Sequence, residues 1–170
     1  PSEANWPFSD GTGADASGNG HDLGGSGGTV VASPPGWGPS ANCIFNTNGT
    51  WGIDSYGRAA TVPGDPLPTN NFILSMYVKG NSPAYTAGSA SSLFDTTGTG
   101  GNNLWIGAVN VAGVDNWRVS VSGTTIATFP VTPATAQHIE VICINRVFSV
   151  KLNGVATGTT STQTFQWGAL

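Results

Sequence analysis

The segment Phe148-Ser-Val-Lys-Leu152 runs directly into Asn153-Gly154-Val155. Phe148, Val150 and Leu152 alternate with Ser149 and Lys151, so the apolar side chains fall on one side of an extended chain. Asn-Gly after such a run is a strong hairpin signal, because a two-residue type I′ turn needs positive φ at both positions. A second turn, Asp15-Ala-Ser-Gly-Asn-Gly20 followed by His21-Asp22-Leu23, stands near the other end. Together they frame the chain as one all-β unit.

Period-two runs fill the space between. Phe72-Ile-Leu-Ser-Met-Tyr-Val-Lys79 puts Phe72, Leu74, Met76 and Val78 on one face and Ile73, Ser75, Tyr77 and Lys79 on the other. Leu104-Trp-Ile-Gly-Ala-Val109 reads as a strand. Trp117-Arg-Val-Ser-Val121 and Ile126-Ala-Thr-Phe129 flank a turn at Ser122-Gly-Thr-Thr125. Residues 137–144 and 147–152 flank a tight turn at Asn145-Arg146, and Thr164-Phe-Gln-Trp-Gly-Ala169 is the last candidate strand. No ten-residue window has helical period without Gly or Pro. Short strands with frequent turns predict a two-sheet antiparallel sandwich or jelly roll. Its core should hold Phe72, Leu74, Met76, Val78, Val141, Cys143, Phe148, Val150 and Leu152. Residues 24–38 and 80–92 read as surface loops. With no repeat or composition break, residues 1–170 read as a single domain.

Charged residues make up only 8% of the chain, yet it holds six Trp and seven Phe. Disordered chains lack such aromatics, so the abundant Gly, Ser, Thr and Asn belong to turns and polar sheet faces. A net charge of −4 with five Lys plus Arg argues against nucleic acid as a partner and against anionic membrane surfaces. No apolar stretch is long enough for a membrane-spanning helix, which argues against insertion, and no signal-peptide pattern opens the chain. Pro1 fits removal of an initiator Met, a mature secreted chain or a cut fragment equally. Cys43 and Cys143 each sit in an apolar run. Two buried free thiols is the plain reading, and a disulfide between neighbouring strands is the alternative.

The order of these motifs resembles the laminin-G-like branch of the concanavalin A-like lectin and glucanase jelly rolls. Trp6-Pro-Phe8, Asp15-Ala-Ser17-Gly18-Asn19-Gly20 and Leu23 are similar to that family's opening. Cys43-Ile-Phe45 and Phe72-Ile-Leu-Ser-Met-Tyr-Val-Lys79 resemble its next strands, with Tyr77 where the family usually has Trp. Gln137-His138-Ile-Glu-Val141 and the run 148–154 resemble a W-H-H-V-A strand and a strand ending Y-V-N-G. The likeness covers nearly the whole chain, but the family's closing D-E-V-R-I-Y strand has no counterpart. It implies an antiparallel jelly roll that binds and assembles.

Enzymes of that fold use E-x-D-x-E on one strand, because retaining glycoside hydrolysis needs two carboxyls about 5 Å apart. This chain has only Glu3 and Glu140, neither with an acidic neighbour two residues away. No nucleophile elbow surrounds any Ser. The expectation is a non-enzyme. Asp10, Asp15, Asn19 and Asp22 offer hard oxygens suited to calcium; the competing reading is that Asp15 and Asn19 cap the turn. Sugar-stacking candidates are Trp37, Tyr77, Tyr85 and Trp105, with Trp51 and Tyr56 behind them. His21 and His138 read as hydrogen-bonded structural residues. Asn48-Gly-Thr50 fits a glycosylation acceptor as well as a turn.

Two functions follow as expectations. The first is a structural or attachment protein on a virion surface, such as a phage decoration, cement or tail accessory, working as a homo-oligomer or docked on a capsid or tail. The second is a secreted, extracellular carbohydrate-binding module, with calcium as its candidate ion. The missing closing strand leaves an edge for assembly, with Trp6, Phe8, Phe165 and Trp167 as contacts. Alternatively, residues 157–170 fold back and fill that gap within one chain.

Overall fold

Alternation of apolar and polar residues produces strands almost everywhere that the computed structural model describes the chain, namely residues 14–20, 23–24, 29–32, 42–45, 58–59, 69–79, 90–96, 103–133 and 135–165. No helix occurs among the described residues. The chain divides into two compact units, Pro1–Leu67 with Ala169–Leu170, and Pro68–Gly168. In the first unit, β1 (Leu23–Gly24), β2 (Thr29–Ala32), β3 (Asn42–Phe45) and β4 (Arg58–Ala59) form two antiparallel pairs, β1 with β4 and β2 with β3.

The second unit is a β-sandwich. Its strands are β5 (Asn71–Lys79), β6 (Ala90–Asp95), β7 (Leu104–Val111), β8 (Val114–Val121), β9 (Thr124–Pro130), β10 (Ala136–Ile144), β11 (Val147–Leu152) and β12 (Val155–Thr162). One antiparallel sheet has the order β12-β11-β10-β5 and the other β6-β7-β8-β9. Four two-residue turns make the hairpins: Ala112-Gly113, Ser122-Gly123, Asn145-Arg146 and Asn153-Gly154, all with positive φ at both positions. That is the backbone a type I′ turn requires, and it matches the right-handed twist of the strands it joins.

Several expected boundaries move. The turn read at 122–125 is only Ser122-Gly123, because Thr124 and Thr125 already pair with Val121 and Ser120. The Ala112-Gly113 hairpin escapes the sequence reading, since Ala is an uncommon residue at positive φ. Strand β2 lies inside the expected loop 24–38 and β6 begins inside the expected loop 80–92. In place of the strand expected at 164–169, the ladder ends at Thr162 and residues 163–165 follow outside any strand; 166–170 lie outside the described residues.

The inner faces build the core. Val78, Val141, Cys143, Phe148 and Val150 are buried, as the alternation predicts, while Phe72, Leu74, Met76 and Leu152 are half-buried. The facing sheet contributes Leu104, Ile106, Trp117, Val119, Val121, Ile126 and Phe129. Each large apolar side chain buried this way contributes about 1.5–3 kcal/mol. At the edge where β12 meets β9, both strands bulge. Val119 pairs with Ala127 and Ser120 with Thr125, which leaves Ile126 as an extra residue. Its carbonyl accepts a bond from Thr159 Oγ1 at 3.4 Å. Gly158 fits here because a β-carbon at that position would fall 2.7 Å from the Ala127 β-carbon. The bulges thus let two edge strands close on one another.

Cys143 is a free, buried thiol whose Sγ–H points at the Asn70 carbonyl, 3.4 Å away. It therefore takes no part in a disulfide; the Cys43 side chain lies outside the described residues. Burial pushes the Cys143 thiol above its ordinary value, against a smaller opposing pull from the Arg146 backbone N–H and charge. Because the thiolate is the reactive form, native Cys143 should resist iodoacetamide at pH 8 and label rapidly once the chain is unfolded. Peptide mass spectrometry checks this, and fast native labelling would contradict the burial. The raised value also sets a sign: this thiol's stabilisation is full below about pH 8.5, its unfolded value, and is lost as pH rises above it.

Candidate functional site

The outer face of the β12-β11-β10-β5 sheet gathers the polar and aromatic residues that the core rejects. Strand β5 sends Ile73, Ser75, Tyr77 and Lys79 outward because Phe72, Leu74, Met76 and Val78 face in. Strands β10 and β11 do the same with His138, Glu140, Ile142, Ser149 and Lys151. Register decides which of these meet. Tyr77 lies opposite His138, Ser75 opposite Glu140, and Glu140 opposite Lys151.

Tyr77 and His138 stack with ring centroids 4.5 Å apart and planes 15° from parallel. Tyr77 keeps 44% of its surface exposed. The imidazole is held from several sides. Its Nε2 lies 2.7 Å from Ser75 Oγ. The His138 backbone N–H donates to Asn153 Oδ1, and the Asn153 N–H donates to the His138 carbonyl, each at 2.8 Å. The Asn-Gly turn therefore anchors β10 as well as reversing the chain. The result is an aromatic platform on a rigid sheet, bordered by a hydroxyl, a carboxylate and an ammonium group. Such a surface can stack a ring and hydrogen-bond its polar edge. The Ser75–His138 spacing is also that of a nucleophile–base pair, but Ser75 sits mid-strand rather than on a strained turn.

Trp105 stands elsewhere. It projects from β7 opposite in direction to the buried Leu104 and Ile106, so it is half-buried on the outer face of the other sheet. Ser120 lies opposite it in register, and Arg118, opposite Gly107 on the same strand pair, has a buried Nε without a hydrogen-bond partner. Tyr77 and Trp105 thus occupy opposite outer faces of the sandwich and cannot line one site. Trp37 and Tyr85 lie outside the described residues, as do Trp51 and Tyr56.

Asp15 behaves as a turn residue. Its Oδ1 accepts from the Ser17 N–H at 2.9 Å and its Oδ2 from the Ser17 hydroxyl at 2.7 Å. Ser17 Oγ in turn accepts from the Asn19 N–H at 3.2 Å. Both carboxylate oxygens are engaged in shaping the loop. Asp10 and Asp22 lie outside the described residues, among which no cluster of three or more His, Cys, Asp or Glu forms.

Of the expected assembly contacts, Phe165 is buried, 4% exposed, and packs on Phe72 and Phe148. It is an internal plug rather than an outward contact, because residues 155–162 fold back as β12. Trp6, Phe8 and Trp167 lie outside the described residues.

No family model matches this chain, and no curated protein does either. A solved structure does: domain 4 of AbnA, a GH43 extracellular arabinanase from Geobacillus stearothermophilus, in complex with arabinotriose. The TM-score is 0.58 at 17% identity, over 98% of this chain and 79% of the other. The likeness is one of fold. It agrees with the all-β, two-sheet architecture described above.

Sequence reasoning reached Tyr77 but treated His138 as structural and passed over Ser75 and Lys151. The signal that joins them is cross-strand register, which no local motif carries.

Proposed function

We propose that this chain is a non-catalytic carbohydrate-binding module of the β-sandwich type, with Tyr77 and His138 at the centre of its site. The observation that carries this reading is the Tyr77 ring, half exposed and stacked on an anchored imidazole, with Ser75, Glu140 and Lys151 within one or two strands. A flat apolar ring beside donors and acceptors matches a sugar, which has apolar C–H faces and a polar rim. The arabinanase domain that shares the fold was solved with arabinotriose bound, which supports testing pentose oligosaccharides first. An extracellular location fits the same reading, and a laminin-G-like connectivity is the form of sandwich we assign.

Glu140 is the single carboxylate on this face among the described residues, so the pair needed for retaining hydrolysis is not assembled there. A structural role, with the chain as part of a larger assembly such as a capsid or tail, is the second reading. It is favoured by a different observation, the exposed Ile73, Ile144 and Val147 at the end of the same sheet face remote from Tyr77.

Titration calorimetry with arabino-oligosaccharides and a panel of neutral and acidic oligosaccharides tests the first reading. Tyr77→Ala should weaken binding at least tenfold, about 1.4 kcal/mol. It should cost less than about 1 kcal/mol of stability, since it removes one exposed cross-strand pair. Equal binding by wild type and Tyr77→Ala would move the site elsewhere.

A further inference from the structure

Glu140 of β10 and Lys151 of β11 lie directly opposite one another, in the row of outward residues next to Tyr77 and His138. Opposite charges so placed across a ladder ordinarily pair. Among the described residues, however, neither side chain makes a hydrogen bond or an ion pair, and both are half-buried. Their neighbours in the row leave them so. Ser75, on the other side of Glu140, is engaged with His138 Nε2. Ala156, on the other side of Lys151, has no polar side-chain atom to offer. The row therefore sets a group that only accepts beside a group that only donates, each with open bonding capacity. We propose that Glu140 and Lys151 select the ligand of the Tyr77 platform, and that it is a neutral sugar with two adjacent free hydroxyls, in preference to an acidic sugar. The inference rests on the reading of Tyr77 as a sugar platform and adds which sugars that platform takes.

Successive residues on one face of a strand are about 7 Å apart, and adjacent strands about 4.8 Å. From Tyr77, Glu140 is one row and one strand away, and Lys151 is one row and two strands away. A ring stacked on Tyr77 therefore presents its edge to the carboxylate first and to the ammonium second. Each hydroxyl on that edge both donates and accepts. One hydroxyl donates to a Glu140 oxygen, and its neighbour accepts from Lys151 Nζ. Both bonds are charge-assisted, which makes them stronger than bonds between neutral groups. The ligand need carry no charge of its own, since the carboxylate and the ammonium already balance. An acidic sugar brings a third charge. Its carboxylate has no proton to give Glu140 at neutral pH, and it stands beside a like charge in a partly dehydrated place, where repulsion exceeds that in bulk water. Lys151 offsets only part of this, because Glu140 is the nearer of the two to Tyr77. Methylating the hydroxyls keeps the apolar ring face but removes the donors, so the carboxylate loses water and gains no partner.

Titration calorimetry with three oligosaccharides of equal length tests this: an arabino-oligosaccharide, its fully O-methylated form, and an oligogalacturonate. The wild type should bind the methylated and the acidic sugars about tenfold more weakly than the neutral one, or weaker still. Glu140→Gln should lose about tenfold for the neutral sugar, gain affinity for the acidic one, and change little with the methylated one. Lys151→Met should weaken the neutral sugar and weaken the acidic one more. Neither side chain is paired, so both variants should keep the wild-type Tm, which checks that they fold. An acidic sugar bound as tightly as the neutral one, with Tyr77→Ala weakening both, would overturn the proposal and leave the platform standing. So would a Glu140→Gln variant with unchanged affinity for the neutral sugar. Binding that Tyr77→Ala leaves intact, or no binding of any of the three, would overturn the platform and this proposal with it.

Discussion

Phe165→Ala should destabilise the fold by about 3–5 kcal/mol, the usual cost of emptying a buried phenylalanine site. The ring is 4% exposed, with centroids 5.4 Å from Phe72 and 5.9 Å from Phe148, the latter edge-to-face. Removing it undoes two aromatic contacts and opens a cavity against the inner face of the sheet, beside Phe72 of β5 and Phe148 of β11. The segment also ties the two sheets together. The Gln163 N–H donates to the Arg146 carbonyl on one sheet, and the Ser122 hydroxyl of the other sheet donates to the Thr164 carbonyl. Without the plug, these bonds hold a strap with nothing beneath it. For a domain of this size each kcal/mol moves Tm by about 2–4 °C, so a fall of roughly 10 °C is expected in a calorimetric scan. Phe165→Leu, which refills most of the volume, should lose less than half of that. An unchanged Tm for Phe165→Ala would show that residues 163–165 do not dock.

Gln137→Leu should cost a similar amount, about 3–5 kcal/mol, by a different route. Gln137 is 3% exposed. Its Oε1 accepts from Trp117 Nε1 and from the Thr132 N–H, both at 2.9 Å. Its Nε2 donates to the Pro130 carbonyl at 3.2 Å. The side chain thus joins β10 of one sheet to β8 and the end of β9 in the other. Leucine keeps the bulk and removes all three bonds. Buried groups left without partners cost about 1–3 kcal/mol each, whereas the bonds themselves are worth less on net. Trp117→Phe in the Gln137→Leu background removes one of those orphaned donors. The double variant should therefore be less destabilised than the two single costs predict, by about 1 kcal/mol or more. Urea titration of the four proteins measures this, and strict additivity would mean that the indole and the amide do not interact.

The parts of the fold written in local chemistry were legible in the sequence. Asn145-Arg146 and Asn153-Gly154 mark their hairpins within a residue, and the alternation over 72–79 assigns both faces of β5. Cys143 as a buried thiol followed from its apolar neighbours. What the sequence could not supply is contact between distant segments. Ser75 and His138 are 63 residues apart, and only the β5–β10 register brings them together. Tyr77 and Trp105 both read as outward-facing, but nothing local says that their strands belong to different sheets. Phe165 looked like an exposed aromatic near a chain end because its partners, Phe72 and Phe148, are far away in sequence. Ile126 and Gly158 showed no bulge signal, since their bulges exist only where β9 and β12 meet.

The central claim is that the outer face of the β12-β11-β10-β5 sheet binds a sugar through Tyr77. The most direct measurement is a nuclear magnetic resonance titration of labelled protein with an arabino-oligosaccharide and, separately, an acidic oligosaccharide. The account predicts that the largest shifts fall on Ser75, Tyr77, His138, Glu140 and Lys151, with Trp105 and Arg118 on the far face unmoved. Saturable shifts centred on Trp105, or no shifts with any sugar at millimolar concentration, would contradict it.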